Sequence, residues 1–342
     1  VGAVPSNYPG FQPVENPESK EKFEKLYGRE MDAEKGITKV RALEESGKSI
    51  FAMLIDGENT VVSDPDRSHC EKALKSLDHL VVIDIFLTET AELADVVLPA
   101  TAWAETDGVC TNTERRVQRL RQAVPPPGQA KPDWWIISQI AKRLGFDGFE
   151  FDSAKDIFEE LCSLSPIYAG LDWDRIELGA YQWPVPDKNH PGTPILHENE
   201  FKNGLGIFKV IGYRDPAETT SNSFPIWLTT GRRLQAYHTR TQTGRTEGMD
   251  YLLNEERLEI NPEDITSLGL RDGGWCRIFS ARGQVDVRVK KTTRSPKGTV
   301  FASFSFNDVP INILTGSGYD PVTDTAELKV CPVRIEAITT ES

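Results

Sequence analysis

The sequence contains no C-x-x-C pair, no H-E-x-x-H, no G-x-S-x-G and no Walker A run. Those absences remove the usual zinc, serine-hydrolase and P-loop chemistries. Its five cysteines (Cys70, Cys110, Cys162, Cys276 and Cys331) are far apart and odd in number. They form neither a disulfide framework nor a metal or iron–sulfur site and read as free thiols of a reducing compartment. The five histidines (His69, His79, His190, His197 and His238) are scattered, and only His238 has polar company suited to a ligand. No apolar run approaches the roughly 18 residues that span a bilayer, and no signal-peptide pattern opens the chain, so a cytoplasmic protein without a membrane span is expected. The net charge of -13 argues against nucleic acid as a partner, because phosphate backbones attract basic surfaces. The first residue is Val1, not Met, which suggests a processed or excised piece of something longer.

What is present is ordinary globular material. With 342 residues, 38% hydrophobic and 27% charged, the chain has room for about two domains. VGAVPSNYPGFQ reads as an irregular lead-in. Asn16 before Pro17 caps a helix that Gly28 ends. Apolar runs at 50–55, 80–83 and 95–98 then alternate with helical patterns at 65–77 and 88–94, the signature of βαβ units with helices on both faces of a mostly parallel sheet. Asp133 is expected to cap the helix ending at Gly145, and Ser153 the one after it. From 165 to 223 Pro, Gly, Asn and Trp dominate without periodicity. Beyond that, short alternating runs with Gly turns and a single helix indicate a small β-barrel. The expected division is therefore 1–165, an α/β domain of doubly wound type; 166–223, an irregular connection; and 224–342, a barrel.

One stretch concentrates ligand-like chemistry. TTGRRLQAYHTRTQT, from Thr229 to Thr243, follows an apolar run and supplies backbone N–H groups, hydroxyls and guanidinium forks suited to a polyphosphate, though a polar surface loop has the same composition. Asp84 and Asp133 can each accept from a ribose diol or from the N1 and N2 donors of guanine, as a cap or turn aspartate also would accept. Phe304, Asn312 and Lys329 offer stacking, an amide and a charge for a pterin edge, though a purely structural role accounts for them as readily.

The order of five segments then carries a resemblance. LIDGENTVVSDPD, the run from Leu80 to Gln118, KPDWWIISQIAKRLG, TTGRRLQAYHTRTQT, and NILTGSGYDPVTDTAELKVCPVRIE together resemble the C-terminal half of a formate dehydrogenase catalytic subunit. That family belongs to the bis-molybdopterin-guanine-dinucleotide oxidoreductases, which hold molybdenum or tungsten. The resemblance implies that the barrel is a double-psi barrel. It also implies dinucleotide contacts from Gly57, Glu58, Asn59, Asp84, Thr88, Glu89, Thr90, Thr106, Asp107, Gly108 and Asp133, and from Thr230, Gly231, Arg232, His238, Thr239, Arg240, Thr241, Phe304, Asn312 and Lys329. It places the metal-ligating cysteine or selenocysteine, its neighbouring histidine and arginine, and a [4Fe–4S] centre upstream of Val1. No catalytic residue and no metal ligand is therefore expected in this chain, which alone would be inactive. The implied reaction is two-electron oxidation of formate to carbon dioxide, with the N-terminal half and iron–sulfur or other electron-acceptor subunits as partners. An assimilatory nitrate reductase sharing the cofactor, or a non-catalytic nucleotide-binding assembly module, are the alternatives.

Overall fold

The computed structural model describes residues 4–201 and 203–338, so the first three residues of the lead-in lie outside it. Contacts divide the chain into two compact units, Val1–Thr38 with Leu98–Ile211, and Lys39–Val97 with Gly212–Ser342.

In the first unit the lead-in is more regular than its composition suggests, since Asn7–Tyr8 pairs antiparallel with Gln12–Pro13. Helix Pro17–Tyr27 starts where Asn16 accepts from the backbone N–H of Glu18 and Ser19 and stops at left-handed Gly28. Helix Asp133–Arg143 corrects one expectation. Pro132, already extended, occupies the cap, and Asp133 falls in the first turn, where its charge favours the helix N-terminus. Ser153 does cap helix Ala154–Leu164, with Asp156 closing a reciprocal box. The arginine-rich run 114–122 forms strand Arg116–Leu120, central in an antiparallel sheet between Gly108–Thr111 and Tyr181–Gln182. Residues 166–223, expected to be irregular, thus contribute that last strand and helix Trp173–Leu178. Arg119 lies 3.6 Å over the Trp173 ring, and Val117, Phe158, Cys162, Leu171, Ile176 and Val185 form the core beneath.

The second unit holds both elements that matter for a ligand. Strands Ala52–Asp56 and His79–Asp84 are parallel, with Ala52 opposite His79 and Asp56 opposite Ile83, and Val96–Pro99 is third in the order. Helices Lys39–Glu45 and Arg67–Lys75 contribute Leu43, Cys70, Ala73 and Leu74 to a core with Ile55, Leu80 and Val82. Leu54, whose neighbour in sequence points to the other face, is 43% exposed.

Six strands close into a barrel in the order Arg257–Ile260, Gln284–Lys291, Trp275–Phe279, Cys331–Ala337, Ile226–Gly231, Thr299–Ser303. Two of its pairings are parallel, Leu258 opposite Val289 and Val300 opposite Leu228. Period-two alternation sends Leu228, Leu258, Ile260, Ile278, Val287 and Val300 inward, all fully buried. Helix Pro262–Ser267, capped by Asn261, adds Ile265 to the same core. Closure leaves no sheet edge, which suits an element built from short strands. Arg233 ties the wall together. It donates to Glu256 at 2.6 Å and to Glu259 at 3.0 Å, and Ser303 donates to the other Glu256 oxygen.

Candidate functional site

In a parallel pair both strands end at the same edge of the sheet. The strand ending at Asp56 turns at Gly57, whose φ of +65° needs a residue without Cβ strain and whose N–H donates to Ile83 at 2.8 Å. The neighbouring strand ends at Asp84, so the two aspartates and Glu58 share one rim. The barrel supplies the opposite wall. After Gly231 the chain forms a compact loop in which His238 and Arg240, neither a glycine, take φ of +50° and +62°. Hydrogen bonds fix that shape: Arg240 N–H donates to Tyr237 at 2.9 Å, Gly244 N–H to Arg240 at 2.7 Å, and the Thr239 and Thr241 hydroxyls meet at 2.9 Å.

Between the walls lies a cavity of about 380 Å³, lined by Asp56, Gly57, Glu58, Asn59, Asp84 and Ile85 and by Tyr237, His238, Thr239, Thr241 and Gln242. Burial raises the pKa of both aspartates. For Asp56 the adjacent Asp84 charge adds to this, whereas the Ile85 and Phe86 N–H groups and Arg245 partly offset it for Asp84. Burial, aided by Arg232, lowers that of His238, which keeps its imidazole neutral near pH 7. Its ring meets Phe304 edge-on at 5.3 Å, and its carbonyl accepts from Ser305 Oγ at 2.8 Å.

A supporting shell holds the turn. Asn59 Nδ2 donates to Glu89 at 2.7 Å, while Asn59 Oδ1 accepts from the Thr90 hydroxyl at 3.0 Å and the Thr90 N–H at 3.3 Å. Thr90 Oγ1 in turn accepts from Val61 N–H at 3.0 Å. Lys39 bridges Glu58 at 2.5 Å and Asp64 at 2.7 Å. Asn312 donates to the carbonyls of Val62 and Ser63 at 2.9 and 3.1 Å, pinning the short helix Thr60–Ser63. The Oδ1 of Asn312 and the Oγ1 of Thr60 are buried without a hydrogen bond.

The structure thus brings together seven of the residues singled out from sequence: Gly57, Glu58, Asn59, Asp84, His238, Thr239 and Thr241. Glu89 stands behind them, and Thr88 and Thr90 are buried and bonded inward. Arg240 is turned to Asp250 and to the Phe306 ring, 4.4 Å away, and does not line the cavity. Lys329 donates to the Thr230 carbonyl at 2.8 Å, the Thr230 hydroxyl is spent on Leu328, and Gly231 lies so close to Phe301 that a Cβ would meet that ring at 2.7 Å. Arg232 lies 5.9 Å from the Phe304 ring and lines two other hollows of the barrel. Thr106, Asp107, Gly108 and Asp133 belong to the other unit, where Asp107 accepts from Arg119 at 3.3 Å. Tyr237 and Gln242 fall inside the stretch Thr229–Thr243 singled out from sequence and Ile85 directly follows Asp84, whereas Asp56 was not among the sequence candidates. For Asp56 the signal existed: it ends a strand beside the one ending in Asp84.

Residues 3–143 match the molybdopterin oxidoreductase family and residues 226–332 the molybdopterin dinucleotide binding domain. The chain is 45% identical to the alpha subunit of the F420-dependent formate dehydrogenase of Methanocaldococcus jannaschii, over 99% of this chain and 50% of that subunit. It is 34% identical to formate dehydrogenase H of Escherichia coli, over 99% of this chain and 48% of that protein. The chain therefore spans about half the length of the curated relatives it matches. Acetylene hydratase from Pelobacter acetylenicus shares the fold, with a TM-score of 0.70 at 19% identity over 94% of this chain and 50% of that one. Two family models matched in order along one chain, together with similarity to formate dehydrogenase alpha subunits along nearly all of it, show that the chain carries a molybdopterin oxidoreductase region followed by a molybdopterin dinucleotide binding domain.

Proposed function

We propose that this chain is the C-terminal, cofactor-holding part of a molybdenum or tungsten formate dehydrogenase, and that its 380 Å³ cavity receives the guanine end of one pterin dinucleotide. The observation that carries this reading is the pair Asp56 and Asp84 at the ends of adjacent parallel strands, the edge where α/β sheets bind ligands. The donor set fits the group. Guanine presents N1–H and N2–H donors to carboxylates, and a neutral His238, two threonine hydroxyls and Gln242 face them with groups that can serve O6, N7 and ribose. The double-psi assignment of the barrel belongs to the same proposal.

In the complete enzyme the metal–pterin group would supply the two-electron chemistry that turns formate into carbon dioxide. The chain's own residues bind and orient. Asp84 and Asp56 accept the base donors, Gly57 lets the backbone approach closely, Asn59 fixes the turn through Glu89 and Thr90, and the His238–Gln242 loop excludes water from the opposite side.

Co-expression with the remaining half tests the reading. The purified complex should release guanine nucleotide on acid treatment, contain molybdenum or tungsten, and reduce a dye with formate. Asp84→Asn should lower the released nucleotide at least about tenfold. A metal-loaded complex inert to formate would overturn the substrate assignment, and one without guanine nucleotide would overturn the cavity assignment.

A further inference from the structure

We propose that Arg245 is a positioning residue of the cavity, tying its barrel wall to the loop that follows Asp84. The inference rests on the guanine reading above. The two walls come from distant parts of the sequence, and among the described residues the hydrogen bonds and ring contacts between 84–87 and 237–245 reduce to this one side chain. The Arg245 guanidinium sits 4.6 Å over the Phe86 ring, and its Nη1 donates to the carbonyl of Thr241 at 2.6 Å. Phe86 is two residues beyond Asp84, and Thr241 lines the opposite side of the cavity. One planar group thus spans the gap, stacking on one side and hydrogen-bonding on the other, an arrangement that suits arginine and not lysine.

Arg245 also acts on Asp84 through space. Burial raises the Asp84 pKa, and the positive charge of Arg245 is among the influences that draw it back down. The other charged or titratable groups lining the same cavity are Asp56 from the neighbouring strand, Glu58 from the turn, and Tyr237 and His238 from the barrel loop. Removing the cation therefore makes Asp84 take up a proton at higher pH, and a protonated carboxyl accepts poorly from the base.

The full 342-residue chain can be titrated with guanosine diphosphate by calorimetry between about pH 4.5 and pH 7.5, with adenosine diphosphate as control. Arg245→Ala is expected to weaken binding about fivefold at neutral pH and to move the acid limb of the binding curve upward. Arg245→Lys, which keeps the charge, should restore the limb but not the full affinity. Phe86→Leu, which keeps the charge but loses the stack, should weaken binding and leave the limb in place. Arg245 is exposed and Phe86 half-buried, and circular dichroism of each variant should match the parent. Wild-type binding together with an unshifted acid limb in Arg245→Ala overturns the positioning role. Failure of the wild type to prefer the guanine nucleotide overturns the cavity reading, and this inference with it.

Discussion

Asn59→Asp gives the sharpest test of the shell behind the cavity, because it alters charge and almost nothing else. The side chain is buried, and its Nδ2 donates to Glu89 at 2.7 Å. In the variant the acceptor for Thr90 survives, but the donor becomes a second carboxylate facing Glu89. The pair then either holds one proton between its members or lets Glu89 swing toward solvent. Holding a proton at pH 7 costs at most about 4 kcal/mol, since a carboxyl of ordinary acidity is protonated there for about 1.4 kcal/mol per pH unit above its pKa. Swinging away forfeits a hydrogen bond to a charged group, about 1.5–3 kcal/mol. Glu89 is only partly buried, so the cheaper route sets the value, and a loss of about 2–3 kcal/mol at pH 7 is expected. The sign with pH follows directly. The shared site binds a proton more tightly folded than unfolded, so the loss shrinks as pH falls, to about 1 kcal/mol at pH 5, where the protonated carboxyl introduced by the substitution can again donate. Urea unfolding of parent and variant at both pH values measures this, with Asn59→Ala, whose loss should not depend on pH, as reference. Equal losses for the aspartate variant at pH 5 and pH 7 would refute the account.

Two further outcomes follow from burial. Glu256→Gln should cost about 3 kcal/mol in urea unfolding, because the Glu256 side chain is 0% exposed and Arg233 would keep only Glu259 as a carboxylate partner; a loss under about 1 kcal/mol would mean one carboxylate suffices for Arg233. Native thiol labelling near pH 8 should find one fast cysteine among five, the half-buried Cys110, and Cys110→Ser should abolish it, since burial pushes Cys162 and Cys276 up to about 12 and Cys331 up to about 11 and also raises Cys70.

The sequence displays the local grammar of this fold well. Asn16, Ser153 and Asn261 announce their helices by side-chain chemistry that needs no tertiary partner, and the barrel strands betray themselves by alternation. What it conceals is arrangement. The arginines at 115–121 look like a charged surface run, yet Arg119 is nearly buried because Trp173, more than fifty residues later, offers its ring. Thr88 and Arg240 have the composition of ligand contacts, but Thr88 is consumed by the Ala91 N–H and Arg240 by Asp250. Asp56 was passed over for the opposite reason. An acidic residue before Gly57 reads as an ordinary turn until strand register sets it beside Asp84.

The way the second unit is assembled from Lys39–Val97 and Gly212–Ser342 has a consequence for how the protein is made. Asn312 clasps the carbonyls of Val62 and Ser63 across 250 and 249 positions. At about 5–20 residues per second, the parallel strands leave the ribosome on the order of 10–50 s before the residue that secures them exists. During that interval Leu54, Val96 and Val97, each at least 38% exposed even in the finished unit, belong to an unfinished apolar sheet with open edges. The interval between synthesis of the two segments is thus when this sheet is most open to aggregation, and a message that pauses between them would lengthen it.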